Sequence, residues 1–163
     1  MYTSAIELNQ RFGIDLMIEM AAQAVGSLVE ASVFEAVVLS NDTSGFALED
    51  ITTANKLLVT INEAINRVTK EVDSYIGAKN ELPLSQTDIN ESVIPMHAQN
   101  LVRYSLMIKG ADEDASDRRK AAIAWLKDVA KGTAIVKNNM NQSAGSFNVK
   151  TAQGVSKMNW SQY

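Results

Sequence analysis

The sequence contains no cysteine, one histidine and two prolines among its 163 residues. Without cysteine there can be no disulfide framework, no thiolate metal site and no cysteine nucleophile. A single histidine, His97, excludes catalysis that needs two imidazoles and almost every histidine-based metal site. No apolar run reaches the ~20 residues that a membrane-spanning helix needs, so we expect no membrane association. Residues 1–12 are neither basic nor continuously apolar, and we expect no secretory signal there.

Motifs that carry chemistry are also missing. The sequence has no glycine-rich phosphate loop and no G-x-S-x-G elbow. The acidic cluster at 112–114 lacks the glycine and the distal glutamate of an EF-hand loop. His97 has no carboxylate three or four residues further on, so we interpret it as a structural histidine whose polar atoms are satisfied. We therefore expect no enzymatic activity, no catalytic residues, no metal and no cofactor.

What is present is an ordinary composition with an uneven distribution of charge. The 46% hydrophobic and 21% charged residues are typical of a soluble globular domain. The net charge is −7 for residues 1–54, zero for 55–136 and +3 for 137–163. The one basic cluster, at 118–120, lies beside four acidic residues. We expect it to be a solvated helix start, and the acidic balance argues against sequence-independent DNA binding.

The spacing of apolar residues predicts a mainly α fold, a small helical bundle with one long helix over 53–76. Apolar residues recur there every three or four positions, as on one face of an α-helix. They are Leu57, Ile61, Ile65, Val68, Val72 and Ile76. A second helix is predicted over 95–108, where Pro95 suits a first helical position. A third is predicted over 116–131, with Ser116 as its N-cap.

Elsewhere the pattern is less decisive. Short helices are predicted over 3–11 and 16–24, and a short capped turn is expected at 88–91. Residues 25–39 mix helical and extended preferences, and a short apolar run does not distinguish a strand from a buried helix. Residues 41–45 are predicted to form a turn.

Residues 137–163 are poor in aliphatic side chains and rich in Asn, Gln, Ser and Gly, so taken alone they cannot build a core. Large apolar side chains nevertheless recur at wide intervals. We predict an extended C-terminal arm that becomes ordered on a partner, with its lysines steering it toward an acidic surface. The predicted partner-binding residues are Phe147, Val149, Lys150, Lys157, Met158, Trp160 and Tyr163. The alternative is a disordered tail with incidental aromatics.

Four stretches, in this order, resemble a known family. They are MYTSAIELNQRFG at 1–13, EVDSYIGAKNELPL at 71–84, LVRYSL at 101–106 and AIAWLKDVAKG at 122–132. Together they resemble the small neck protein family of Mu-like phages and prophages, a group of helical proteins similar to head–tail connectors. The resemblance covers residues 1–20 and roughly 55–136.

Two departures from the family pattern are visible. Residues 21–50 are longer than the family's usual connection, which indicates an insertion. Asn100 stands where the family commonly has an acid before the Arg103-Tyr104 pair, so an ion pair built on that acid is in doubt. With these departures we expect a connector body at 1–136, including the insertion, and an arm at 137–163.

The resemblance implies a virion structural protein that forms a ring below the portal and receives the tail side. It implies as partners the portal protein, tail-side neck proteins and further copies of the chain, in a ring that is commonly twelvefold. DNA would pass through the ring without specific binding. The location would be the virion neck, after assembly in the host cytoplasm. A rival interpretation is a small helical regulator or adaptor that binds a host or phage protein through the arm.

Overall fold

The long helix α4, Leu48–Ile76, is the element around which the bundle is built. It contacts α1, α2, α3, α6 and α7 along its length. Its buried residues are Ala54, Leu57, Ile61, Ala64, Ile65, Val68, Val72 and Ile76, which confirms the predicted apolar stripe. The helix begins five residues before the predicted start at Thr53. Glu49 and Asp50 occupy its first turn, where carboxylates interact favourably with the helix dipole.

The computed structural model describes residues 1–107 and 110–136. Within these ranges the chain forms seven α-helices and no strand, which confirms the predicted mainly α fold. Besides α4 they are α1 (Ala5–Phe12), α2 (Ile14–Val25), α3 (Ala31–Val38), α5 (Gln86–Asn90), α6 (Ile94–Leu106) and α7 (Glu113–Lys131). The short helices predicted over 3–11 and 16–24 correspond to α1 and α2. The predicted arm lies outside the described residues.

The ambiguous segment 25–39 contains the helix α3. Val33 and Phe34 are almost fully buried, and Ala36 and Val38 are buried one turn later. α3 packs on both α2 and α4, so its apolar residues face the core from a helix and not from a strand. Of the two alternatives that the apolar run left open, the buried helix is the correct one. The predicted turn at 41–45 lies in the connection between α3 and α4.

Two predicted caps were wrong. α7 begins at Glu113 and is capped by Asp112, whose side chain accepts a hydrogen bond from the Ala115 N–H at 2.6 Å. Ser116, the predicted cap, lies inside the first turn. α5 is likewise capped by Ser85, which accepts from the backbone N–H of Asp88. In both cases a residue three or four positions earlier offers an equally good cap oxygen. Pro95 does lie in the first turn of α6, as predicted.

Candidate functional site

A strongly acidic surface is formed by α2, α3 and the first half of α4. α2 contacts α3 and α4, and α3 contacts α4, so residues 14–60 form one lobe. We call it the acidic lobe. It has a single basic residue, Lys56, and a net charge of −6. Its acidic side chains are all exposed, and none forms an ion pair with a residue that the structure describes. They are Asp15, Glu19, Glu30, Glu35, Asp42, Glu49 and Asp50.

Two open grooves lie at the C-terminal end of α2, within the acidic lobe. The first, about 560 Å³, is lined by Val25 of α2 and by one face of α4 that includes Val59. The second, about 370 Å³, is lined by Glu19 and by residues up to Leu28. Val59 is 55% exposed and Leu28 is 74% exposed. The second groove therefore combines an exposed apolar side chain with a carboxylate, an arrangement suited to a segment that carries both apolar and basic side chains, whereas the lining of the first includes Lys56 and no acidic residue.

At the other end of α4, the N-terminus of the chain is fastened to the body. The Tyr2 hydroxyl donates a hydrogen bond to the carboxylate of Asp73, 71 residues further along the chain. Burial and the neighbouring Asp73 carboxylate raise the pKa of the Tyr2 phenol well above its usual value. Ser4 and Glu7 form a capping box that starts α1 directly after this contact. Both Tyr2 and Asp73 belong to the stretches that carry the family resemblance.

The helix α1 is held to α6 by an arginine that has only neutral acceptors. Arg11 donates to the Met96 carbonyl at 2.9 Å, to Gln99 Oε1 at 2.8 Å and to Asn100 Oδ1 at 2.9 Å. Asn100, at which the resemblance leads one to expect an acid, is buried. Burial, together with the nearby charges of Arg118 and Arg103, lowers the pKa of Arg11. The amide of Asn100 thus takes the place of an ion pair.

The turn between α6 and α7 is stabilised by ion pairs between arginine and aspartate side chains. Arg103 donates to Asp114 and to Asp112, at 2.9 Å each, and Arg118 donates to Asp114 at 2.7 Å. The guanidinium groups of Arg11 and Arg103 lie 5.1 and 5.8 Å from the ring centre of Phe12, within cation–π range. Arg119 lies 4.7 Å from the ring centre of Tyr104, and Lys120 donates to Asp117 at 2.8 Å, so the basic cluster at 118–120 is engaged with neighbouring groups, consistent with a solvated helix start.

His97 is a buried packing residue, as predicted, but it is not fully satisfied. Its ring stacks on Trp125 of α7, with centroids 4.8 Å apart and an interplanar angle of 21°. Its Nδ1 has no hydrogen-bond partner within the described part of the chain, so the expectation of a satisfied histidine was wrong on this point. Burial, and secondarily the charge of Arg11, lowers the pKa of His97. A neutral imidazole in an aromatic stack is a structural element of the α6–α7 contact.

Across residues 1–107 and 110–136 the structure brings no three His, Cys, Asp or Glu side chains together as a metal site. None of the helices in these ranges is long and apolar enough to cross a membrane. The predicted partner-binding side chains, from Phe147 to Tyr163, lie outside the described ranges, so their role stays a prediction. Among the surfaces of the described chain, the acidic lobe and its two grooves form the candidate interface.

A family model described as Bacteriophage Mu, Gp36 matches residues 2–151 of the chain. The chain belongs to this family. Membership of the Gp36 family confirms the resemblance at the level of Mu-type phage proteins, while the description itself states no role in the neck. The matched range includes residues 21–50 and the first part of the predicted arm, and the boundary at 136 stays a prediction. No curated protein and no solved structure matches the chain.

The acidic lobe was only partly visible in the sequence. The excess of acid over residues 1–54 was clear from the composition, but its concentration on three packed helices was not. Recognising α3 as a helix would have placed Glu30 and Glu35 beside the carboxylates of α2. The exposed residues Val59 and Leu28 gave no signal, because single exposed apolar residues are common on protein surfaces.

Proposed function

We propose that this member of the Gp36 family is a virion structural protein, a subunit of an adaptor ring in the phage neck. The ring would join the portal to the tail side. The observation that carries the proposal is the match of the Gp36 family model over residues 2–151, which agrees with the resemblance to neck proteins of Mu-like phages. An all-helical body built on one 29-residue helix supports a structural role, since it offers a rigid strut for repeated contacts.

The proposed partners are the portal protein, tail-side neck proteins and further copies of the chain in a ring, twelvefold as in related connectors. DNA would pass through this ring without specific binding. The net charge of −6 on the acidic lobe supports this part of the proposal, because like charge repels the phosphate backbone. We propose further that the chain is not an enzyme, a view supported by its single histidine and its lack of cysteine.

We infer that the isolated chain is mainly monomeric and that rings form on the portal. The apolar faces of α4, α6 and α7 are consumed by the subunit's own core. What remains for lateral contacts is mostly polar surface with scattered apolar side chains. Modest contacts of this kind gain from a template that raises the local concentration of subunits. Analytical ultracentrifugation of the purified chain tests this, and a stable ring in dilute solution without portal would contradict it.

The test of the neck assignment is electron microscopy of phage particles that carry a tagged copy of the chain. The tag should be inserted at Gly45, in the exposed connection between α3 and α4, where the surroundings are open. Tyr2 makes the N-terminus unsuitable because it is buried against α4. We expect tag density at the neck of every particle, with untagged particles as the control.

The same preparation separates the two functional classes. A ring subunit is retained in purified particles at a fixed copy number, which quantitative mass spectrometry measures. A regulator that binds a host or phage protein is abundant in infected cells and absent from particles. Tagged chain in the lysate but not in intact virions would overturn the neck assignment and favour the regulator.

A further inference from the structure

We propose that the acidic lobe is a receptor for residues 137–163 of a neighbouring copy of this chain. The proposal rests on the proposed function only for the presence of that neighbour in a ring. Three observations support it: the charges of the two parts, the apolar grooves within the lobe, and the end of the bundle from which the segment departs.

The charges of the two parts are complementary. The acidic lobe has a net charge of −6, and its carboxylates lack ion-pair partners within the described structure. Residues 137–163 contain three lysines and no acidic residue. Nucleic acid and acidic protein segments are repelled by such a surface, whereas a basic segment is attracted to it. The most basic segment of this chain is therefore matched to its most acidic surface.

The apolar side chains are complementary as well. One groove at the end of α2 exposes Leu28 and is also lined by Glu19, and the other exposes Val59 on α4. Residues 137–163 supply Phe147 between the first two lysines, and Trp160 and Tyr163 after the last one. An aromatic side chain can bury about 150–250 Å², so two of them would account for most of the binding energy of an extended segment. The lysines would then lie at the groove rims, where they increase the association rate more than the affinity.

Helix α7, the last described helix before this segment, ends at the end of the bundle opposite to the lobe. Trp125 of α7 stacks on His97, near the start of α6. Pro95 lines the same groove as Tyr2, and Tyr2 contacts Asp73 near the end of α4. α7 therefore ends beside the C-terminal end of α4. From Asp73 back to Ala54 in the lobe, α4 extends about 28 Å at ~1.5 Å per residue.

This separation favours a contact between copies. A donor segment at one end and a receptor at the other make a head-to-tail contact, which closes into a ring when the rotation allows it. The 27 residues from 137 to 163 span at most about 90 Å, enough to reach a lobe on an adjacent copy. One repeated contact of this kind would link every subunit of a neck ring to the next.

The experiment titrates full-length chain into a trace amount of a fluorescently labelled peptide of residues 137–163 and follows the anisotropy. Peptide and chain should be tested up to about millimolar concentration, the range that tethering provides in an assembly. We expect saturable binding that weakens with salt. Charge reversal by Glu19→Lys with Glu49→Lys should weaken it at least about tenfold, because it places like charges together.

The matched control reverses two exposed carboxylates far from the lobe, Glu71→Lys near the C-terminal end of α4 with Glu81→Lys beyond it, and should leave binding within about twofold. A second pair of variants tests the apolar contacts separately from the charges. Val59→Ser should weaken peptide binding, whereas Val93→Ser, at an exposed valine outside the lobe, should leave it unchanged. Circular dichroism confirms that each variant is folded. No binding of the peptide, or equal loss in the variants and their controls, would overturn the proposal.

A last variant shows whether the segment occupies its own lobe or a neighbour's. A full-length chain with Phe147→Ser, Trp160→Ser, Lys150→Glu and Lys157→Glu has lost both the aromatic side chains and the charges proposed to bind, so it cannot compete through its own segment. If the lobe serves a neighbour, this chain and the unaltered chain bind the peptide with affinities within about threefold of each other. Binding at least tenfold tighter by the altered chain would place the segment on its own lobe and overturn the proposal. These outcomes do not depend on where the protein lies in the particle, so the neck assignment can fail separately.

Discussion

The contact between Tyr2 and Asp73 fixes the N-terminus to α4, and its removal gives the sharpest test of the described structure. Tyr2→Phe keeps the ring and deletes only the hydroxyl that donates to Asp73. Hydrogen bonds to charged groups contribute about 1.5–3 kcal/mol. Asp73 is only half-buried and can recruit water once the hydroxyl is gone, so we expect the lower end, about 1.5 kcal/mol. For a chain of this size that corresponds to a melting temperature lower by about 3–6 °C.

The pH dependence of this effect has a definite sign. The pKa of Tyr2 is raised in the folded protein, while an unfolded tyrosine ionises near pH ~10. The contribution of Tyr2 to stability is therefore complete below pH ~10 and is lost as the pH rises above that value. Thermal unfolding followed by far-ultraviolet circular dichroism should show the two proteins differing most at neutral pH and converging in alkaline solution.

Tyr75→Phe is the matched control. Tyr75 is also half-buried on α4, and its hydroxyl makes no hydrogen bond with the residues that the structure describes. We expect its loss to change the free energy of unfolding by less than about 0.5 kcal/mol. If Tyr2→Phe and Tyr75→Phe unfold alike across the whole pH range, the Tyr2–Asp73 contact does not fasten the N-terminus and the reasoning is refuted.

Three further outcomes are expected. Ile65→Ala or Leu126→Ala should each lower the free energy of unfolding by about 2–5 kcal/mol in denaturant titrations, because both side chains are fully buried. If both variants were as stable as the parent, the apolar stripes of α4 and α7 would not form the core. Deleting residues after 137 should leave the melting of the body nearly unchanged yet block the joining of heads to tails, so infectious particles from the truncated protein would contradict the arm's role. Neutralising four carboxylates of the acidic lobe should slow DNA ejection or raise DNA binding in a filter assay, and no change in either would argue against a lumen wall there. These four are Asp15, Glu19, Glu30 and Glu35.

The parts of the fold that could be predicted from the sequence are those in which periodicity alone decides the structure. The stripe from Leu57 to Ile76 repeats over five turns, so its buried face followed from spacing. The caps of α5 and α7 did not, because several neighbouring oxygens could serve and the choice depends on where the preceding chain arrives. For α3, only the packing against α2 and α4 decides between a helix and a strand.

The candidate site could be predicted less completely. Its charge follows from the composition. Its grooves depend on how the end of α2 packs against α4, and local sequence patterns do not predict such a long-range contact. The contact between Arg11 and Asn100 shows a different limit. The family resemblance led us to expect an acid at position 100 as the partner of an ion pair. The three neutral acceptors that Arg11 uses come from one face of α6, and only the assembled bundle shows this.

Because the acceptors of Arg11 are neutral, the contact of α6 with α1 and its contact with α7 respond differently to acid. The carbonyl and amide oxygens that hold Arg11 have no proton to gain above strongly acidic pH, so the α1–α6 contact has no titration midpoint. The α6–α7 turn depends on carboxylates, and its arginines lower the pKa of Asp114. Its contribution is present above pH ~4 and is lost as the pH falls through that lowered pKa. Acidification should therefore weaken the ion pairs at the start of α7 while the hydrogen bonds of Arg11 to α6 are unchanged.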